Sequence, residues 1–285
     1  MHFSAEQVQA YHRDGFTFLE GLLSPREVED ILDDVESICA GNTLADHDET
    51  RMEMEPNQPP DGTSVRRLYE PCSHYPRFRD LSQSEMLLNC LEQLLGPNIL
   101  FHYSKLNMKP AEIGSVVEWH QDLSYYPLTN RDSLAVLFYL DDTDEENGFL
   151  RMIPGRHQDD LMPHAGDRFF EGRVTDAVND SGAVGVGGRA GTAIFMHCMT
   201  PHASATNRSN RPRRTLILSY RAADAYPVYT GEMTSRTEAS VRLVRGEPMP
   251  LARFTMTHFP IPLYKGGVTA SLYELQGRSR EGELG

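Results

Sequence analysis

"ILFHYSKLNMKP", Ile99 to Pro110, is where the chain changes its period. In "SEMLLNCLEQLLG", just before it, apolar residues recur every three or four positions and stop at Gly96, as in an amphipathic helix with a glycine at its end. From Ile99 onward they alternate or run on unbroken, the patterns of strands covered on one face or on both. Such segments return in "SVVEWHQD" from Ser115, "SLAVLFYLDD" from Ser133, "GFLRMIPG" from Gly148, "GTAIFMHC" from Gly191 and "RRTLILSYRA" from Arg213. Turn formers separate them at Glu146–Asn147–Gly148, at Pro154–Gly155 and along Gly185–Gly191.

Upstream, Ser4 and Gln7 have the spacing of a capping box, and Asp14–Gly15 ends that helix before the strand-like "FTFL". Ser24–Pro25–x–Glu27 opens a second helix, with Val28, Ile31, Leu32, Val35 and Ile38 on one face. Residues 41–65 are acidic and proline-rich and read as a surface loop, placed to act as a lid if it lies over a site. Helices first and many strands afterwards, without βαβ alternation, predict an α+β, mainly β chain built on an antiparallel sandwich or barrel. One domain over 1–285 is expected: a helical part over 1–97, a core over 98–223 and a C-terminal extension over 224–285.

The 285 residues carry 27 Lys and Arg against 41 Asp and Glu, a net −14, which argues against nucleic acid or an anionic membrane as partner. The start has no basic region leading into an apolar one, and no window approaches a membrane span. Cys39, Cys72, Cys90 and Cys198 are too scattered for a zinc cluster and read as buried thiols of a reducing cytoplasm. A monomer or homodimer acting on a small molecule is expected.

The chemistry gathers in "VVEWHQDLSYYP", Val116 to Pro127. On a strand, His120 and Asp122 project to one side, with Trp119 and Gln121 on the other. One more His would complete a 2-His-1-carboxylate site for Fe(II), and His197 and His202 are the candidates. The spacing by itself equally suits a strand His hydrogen-bonded to a neighbouring carboxylate. Arg213 and Arg214 begin an apolar strand, and the inward-pointing one would anchor a dicarboxylate through its planar fork. Trp119, Tyr125 and Tyr126 are candidates for a substrate wall. Lys105, Arg151 and Arg221 are candidates to hold an acidic substrate group. His102, His157 and His164 read as packed or surface residues. "DDTDEENG", Asp141 to Gly148, lacks the spacing of a calcium loop.

"WHQD", "ENGFLRMIPGRH" and "HASATNRSNRPRR", with the opening "YHRDGFTFLEGLLSPREVEDI" and the lead-in "SKLNMKP", together resemble the phytanoyl-CoA dioxygenase family of Fe(II)/2-oxoglutarate-dependent oxygenases. The resemblance runs from about residue 5 to residue 222. It implies a double-stranded β-helix, or jelly roll, and makes His120, Asp122 and His202 the iron ligands. It also implies Arg213 for the distal carboxylate of 2-oxoglutarate, with Ser204 and Asn107 as further contacts, and leaves His197 as a packed residue. The expected reaction is hydroxylation of a small molecule by O2, with 2-oxoglutarate decarboxylated to succinate and CO2. Desaturation, cyclisation or epimerisation at the same site is the alternative, and a non-catalytic jelly-roll binding protein is a reading of another class.

Overall fold

The computed structural model describes residues 1–267 and 270–284. The N-terminal part carries α1 (Ala5–Asp14), β1 (Phe16–Leu19), α2 (Pro25–Cys39), β2 (Met52–Met54), β3 (Val65–Tyr69), α3 (Pro71–His74), α4 (Pro76–Ser82) and α5 (Glu85–Leu95). Next come β4 (Ile99–Lys109), β5 (Val117–His120), β6 (Ser133–Tyr139), β7 (Leu150–Met152), β8 (Val184–Val186), β9 (Ala193–His197), β10 (His202–Ser204) and β11 (Arg213–Ala222). The tail adds α6 (Glu232–Glu238), β12 (Arg242–Arg245) and α7 (Leu272–Arg280).

The helix starts follow their chemistry. Ser4 with Gln7 and Ser24 with Glu27 each form a two-way capping box, worth about 1 kcal/mol apiece. α1 stops at Gly15, whose φ of 87° is left-handed. A Cβ there would run into Thr200 and His157, so this turn also sets how closely α1 approaches the strands.

Two antiparallel sheets face each other as a double-stranded β-helix. The larger has the order β1-β9-β6-β11-β4-β3-β2, with β12 also on β4, and the smaller β5-β10-β7-β8. In the larger sheet, Leu134, Val136, Phe138, Phe195, Leu216 and Leu218 face the helices and pack with Val28, Ile31, Leu87 and Leu91. The alternate residues Ala135, Leu137, Tyr139, Ile194, Met196 and Ile217 face the smaller sheet and meet Leu150, Met152 and Val186. Both faces are buried, which is why "SLAVLFYL" reads as one apolar run.

Two expectations need correction. Residues 41–65 are not loop throughout: Met52 and Met54 are buried on β2, which pairs with β3 and widens the larger sheet. With only three residues in β2, the alternation is too short to stand out from its acidic surroundings. Second, β5 ends at His120, and Asp122 begins a single 3₁₀ turn rather than continuing the strand. Gln121 between them is still extended, with φ −124° and ψ 128°, so the alternation survives one residue past the ladder. No helix among the described residues is long and apolar enough to cross a membrane.

Candidate active site

β5 and β10 are neighbours in the smaller sheet, and their register sets His120 directly opposite His202. Side chains of opposed antiparallel residues stand side by side, and here the imidazole centroids are 4.0 Å apart. Asp122 swings in from the 3₁₀ turn until its Oδ1 is 3.8 Å from Nε2 of each histidine. The three side chains are buried, and one ligand atom from each lies within 4.8 Å of the others.

The backbone fixes which nitrogens point inward. His120 Nδ1 is 2.8 Å from Glu118 O, and His202 Nδ1 is 3.0 Å from Thr200 O. A carbonyl only accepts, so each Nδ1 carries the proton and donates it, leaving the Nε2 lone pairs turned toward Asp122. Burial lowers the pKa of both rings, that of His120 well below the usual value, with His202 as the next cause. Neutral imidazoles with a carboxylate are the donor set that suits Fe(II), and an outer hydrogen bond on each His is what aims such ligands.

Further bonds hold the end of β5 and the turn after it. Gln121, fully buried on the opposite side, donates from Nε2 to Met199 O at 2.6 Å and accepts from Met162 N at 2.8 Å. Its own N–H donates to His164 Nε2 at 3.0 Å, while His164 Nδ1 donates to Met162 O at 2.6 Å. His164 is thus a packed residue that braces the chain just after β5.

A cavity opens on the triad, lined by Lys105, Asn107, Ser204, Arg213, Thr215 and Leu272, among others. Arg213 and Arg214 resolve as alternation requires. Arg214 turns outward into a two-pronged pair with Asp141, at 2.9 and 2.5 Å. Arg213 turns inward, 4% exposed, over the Tyr139 ring, and its buried Nε has no hydrogen-bond partner. A guanidinium donor left open inside a cavity fits an acidic ligand. Beside it lies Lys109, which the sequence did not single out. Its ammonium donates to Ser204 Oγ at 2.8 Å and to the Ser204 and Ala205 carbonyls, and burial followed by Arg213 pushes its pKa well down. Asn107 accepts from Arg67 Nε at 3.0 Å.

Other candidates are engaged elsewhere and do not line this cavity. The Trp119 indole is covered by Arg151, 5.5 Å from its centre. Tyr125 stands edge-on to His120 at 6.0 Å and donates its hydroxyl to Gly172 O. Tyr126 packs against His102 and Tyr103. Arg221 is buried and donates two hydrogen bonds to the Glu238 carboxylate, at 2.6 and 2.8 Å. It shares the face of Arg213 and Ile217 on β11 but lies beyond the cavity lining. His157 and His197 pack together, 5.1 Å apart.

A family model described as phytanoyl-CoA dioxygenase matches residues 11–215. A probable alpha-ketoglutarate-dependent hypophosphite dioxygenase of Stutzerimonas stutzeri is 33% identical over 231 residues, 79% of this chain and 80% of that protein. The ectoine dioxygenase of Bordetella parapertussis is 29% identical over 241 residues, 78% of this chain and 76% of the relative. The crystal structure of EctD from S. alaskensis with bound Fe superposes with a TM-score of 0.70 at 25% identity, covering 88% of this chain and 89% of that one. With the jelly roll, the His-Asp-His cluster and these matches in agreement, the chain belongs to the phytanoyl-CoA dioxygenase family and is an Fe(II)- and 2-oxoglutarate-dependent oxygenase.

Proposed function

We propose that His120 Nε2, His202 Nε2 and an Asp122 carboxylate oxygen hold the iron, and that Arg213 takes the distal carboxylate of 2-oxoglutarate. The observation that carries this is the convergence of two proton-free nitrogens and one carboxylate oxygen beside a cavity with an unpartnered guanidinium. Bound there, Fe(II) would supply oxidative decarboxylation of 2-oxoglutarate by O2 and oxidation of a substrate C–H bond. The chain's part is placement. Glu118 O and Thr200 O fix the imidazole tautomers. Lys109 orients the Ser204 hydroxyl beside Arg213. Asn107, tied to Arg67, offers its amide to the cosubstrate. Ala135, Leu137, Leu150, Met196 and Ile217 make that part of the cavity apolar and limit water. Hydroxylation of a small molecule is the reaction this arrangement supports best.

One domain over 1–285 is supported by the larger sheet, which takes strands from the N-terminal part, the core and the tail. The four free cysteines, three of them buried, support a reducing, cytoplasmic setting.

The test is succinate formation from 2-oxoglutarate by anaerobically prepared protein given Fe(II) and then O2, across a panel of small metabolites. His202→Ala should fall to the level seen without iron. Arg213→Ala should raise the KM for 2-oxoglutarate roughly 10- to 100-fold, the worth of a charged hydrogen bond, with iron occupancy unchanged. Loss of iron in Arg213→Ala with cosubstrate affinity intact would overturn the role given to that residue.

A further inference from the structure

Arg213 is one of two cations that line this cavity, and the other, Lys105, has no evident task. Along β4, Lys105, Asn107 and Lys109 alternate onto the cavity side. Arg213 lies opposite Lys109, whereas Lys105 lies opposite Ile217, four residues along the strand. At about 3.3 Å per residue that is roughly 13 Å, so the two ends address different groups.

The Lys105 ammonium lines the cavity 5.6 Å from the centre of the Tyr103 ring. Among the described residues no carboxylate forms an ion pair with it. Arg67, on the neighbouring strand β3, is 5% exposed and stacks on Tyr273 at 4.8 Å. Its Nε is spent on Asn107, and its buried Nη2 has no partner. The acid nearest to Arg67 is Glu53, at 4.0 Å, and it already receives Arg66, the Tyr69 hydroxyl and the Ser271 hydroxyl. Glu70 is turned to Ser104 N and Ser240 Oγ. Arg66 and Arg67 thus share Glu53, with Glu55 also near Arg66, whereas no carboxylate is bonded to Lys105 and Asp122 is committed to the metal. A largely buried ammonium with no anion bonded to it is costly unless a ligand pairs with it.

The space is shared as well: 2-oxoglutarate takes part of it, and Leu272 from α7 forms part of the lining. Resting on the iron and 2-oxoglutarate reading, we propose that the substrate is a small molecule bearing an oxyanion group (phosphinate, phosphonate or carboxylate), held by Lys105 with Arg67 behind it.

The experiment is calorimetry on protein loaded with Ni(II) and 2-oxoglutarate, which does not turn over. Hypophosphite, methylphosphonate and propionate are the anionic probes, and propionamide is the neutral control. At least one anion should bind, propionamide should not, and which anion binds identifies the oxyanion. Lys105→Met and Lys105→Gln should each weaken that anion about tenfold or more, Lys105→Arg should retain most of it, and 2-oxoglutarate affinity should stay within about twofold. The proposal is overturned if no anion binds, if propionamide binds as well, or if both neutral variants lose 2-oxoglutarate affinity as Arg213→Ala does. If the unmodified protein with Ni(II) fails to bind 2-oxoglutarate before any probe is added, the parent reading falls and takes this one with it.

Discussion

The two sheets divide the work unequally. In the larger, β4 and β11 pair over ten positions, and β11 and β6 over seven. In the smaller, β5 meets β10 only at His120 opposite His202 and Val117 opposite Ser204, with a register shift within β10. The first is held by long ladders with apolar packing on both faces. The second is held largely by individual bonds from Gln121, His164 and Gln276 to nearby backbone. Stability and chemistry are thus assigned to different elements. An imprecise metal ligand costs function, so the proposed ligand strand β5 is fixed by specific hydrogen bonds even though its ladder is short.

The most forceful way to break that division is to damage the larger sheet alone. Phe195 is fully buried on β9 and meets Phe3 edge-on at 4.8 Å. Phe195→Ala should cost roughly 3–5 kcal/mol in urea unfolding, because it removes a large core ring and leaves a cavity. Ni(II) affinity of the remaining folded protein should be unchanged. A loss of metal affinity to match the loss of stability would show that the two sheets are not separable.

The seam between the sheets responds to pH. His197 ends β9, and its Nδ1 accepts from Met199 N at 3.1 Å on the way to His202. That nitrogen must stay unprotonated, and burial brings the His197 pKa down to about 3. The folded value lies below the unfolded one of about 6.5. Between these values the unfolded chain therefore takes a proton that the folded one refuses, and stability falls as pH falls. His102 and His164, each lowered to about 4 chiefly by burial, act in the same direction. Glu70 opposes them: burial raises its carboxyl to about 7, so it favours the fold as pH drops from there toward 4.5. Comparison with His197→Gln isolates the one histidine, since the amide oxygen can take its place as acceptor. The wild-type advantage should shrink by about 2 kcal/mol between pH 7 and pH 5 in paired urea titrations. Parallel curves at the two pH values would mean that His197 is not held neutral.

The larger sheet was the more legible half. β4, β6, β9 and β11 declare themselves through alternation or unbroken apolar runs, and α1 and α2 through their caps. β8 and β10 are three residues each, too short for a period to show, yet β10 carries His202 of the triad. The triad is brought out by the order and spacing of its motifs, not by strand periodicity. Lys109 was invisible because a lysine before Pro110 looks solvated. Its burial depends on oxygens of Ser204 and Ala205, reached only across the fold. Arg221 stays on the same face of β11 as Arg213, but Glu238 of α6 takes its guanidinium, and no local signal in the sequence marks that partner. α7 was missed because Gly277 interrupts an otherwise plausible helix in a tail without motifs.

The tail offers the finest test of how the smaller sheet is held. Gln276 of α7 is fully buried, accepts from Glu118 N at 2.9 Å and donates to Gly172 O at 2.7 Å. It therefore grips the residue whose carbonyl fixes the His120 tautomer. Four residues on, Arg280 pairs with the Glu118 carboxylate at 3.2 Å in a largely solvated position. An exposed pair of this kind contributes little, so Arg280→Ala should be silent in both urea unfolding and Ni(II) titration. Gln276→Ala leaves a part-buried N–H without its partner, takes a donor from a buried carbonyl and should cost about 1–3 kcal/mol. Its effect on Ni(II) affinity should be only a few-fold, since Glu118 O stays bonded to His120. A stability loss larger than that of Phe195→Ala would invert the comparison and make α7, not the long ladders, the main support of the fold.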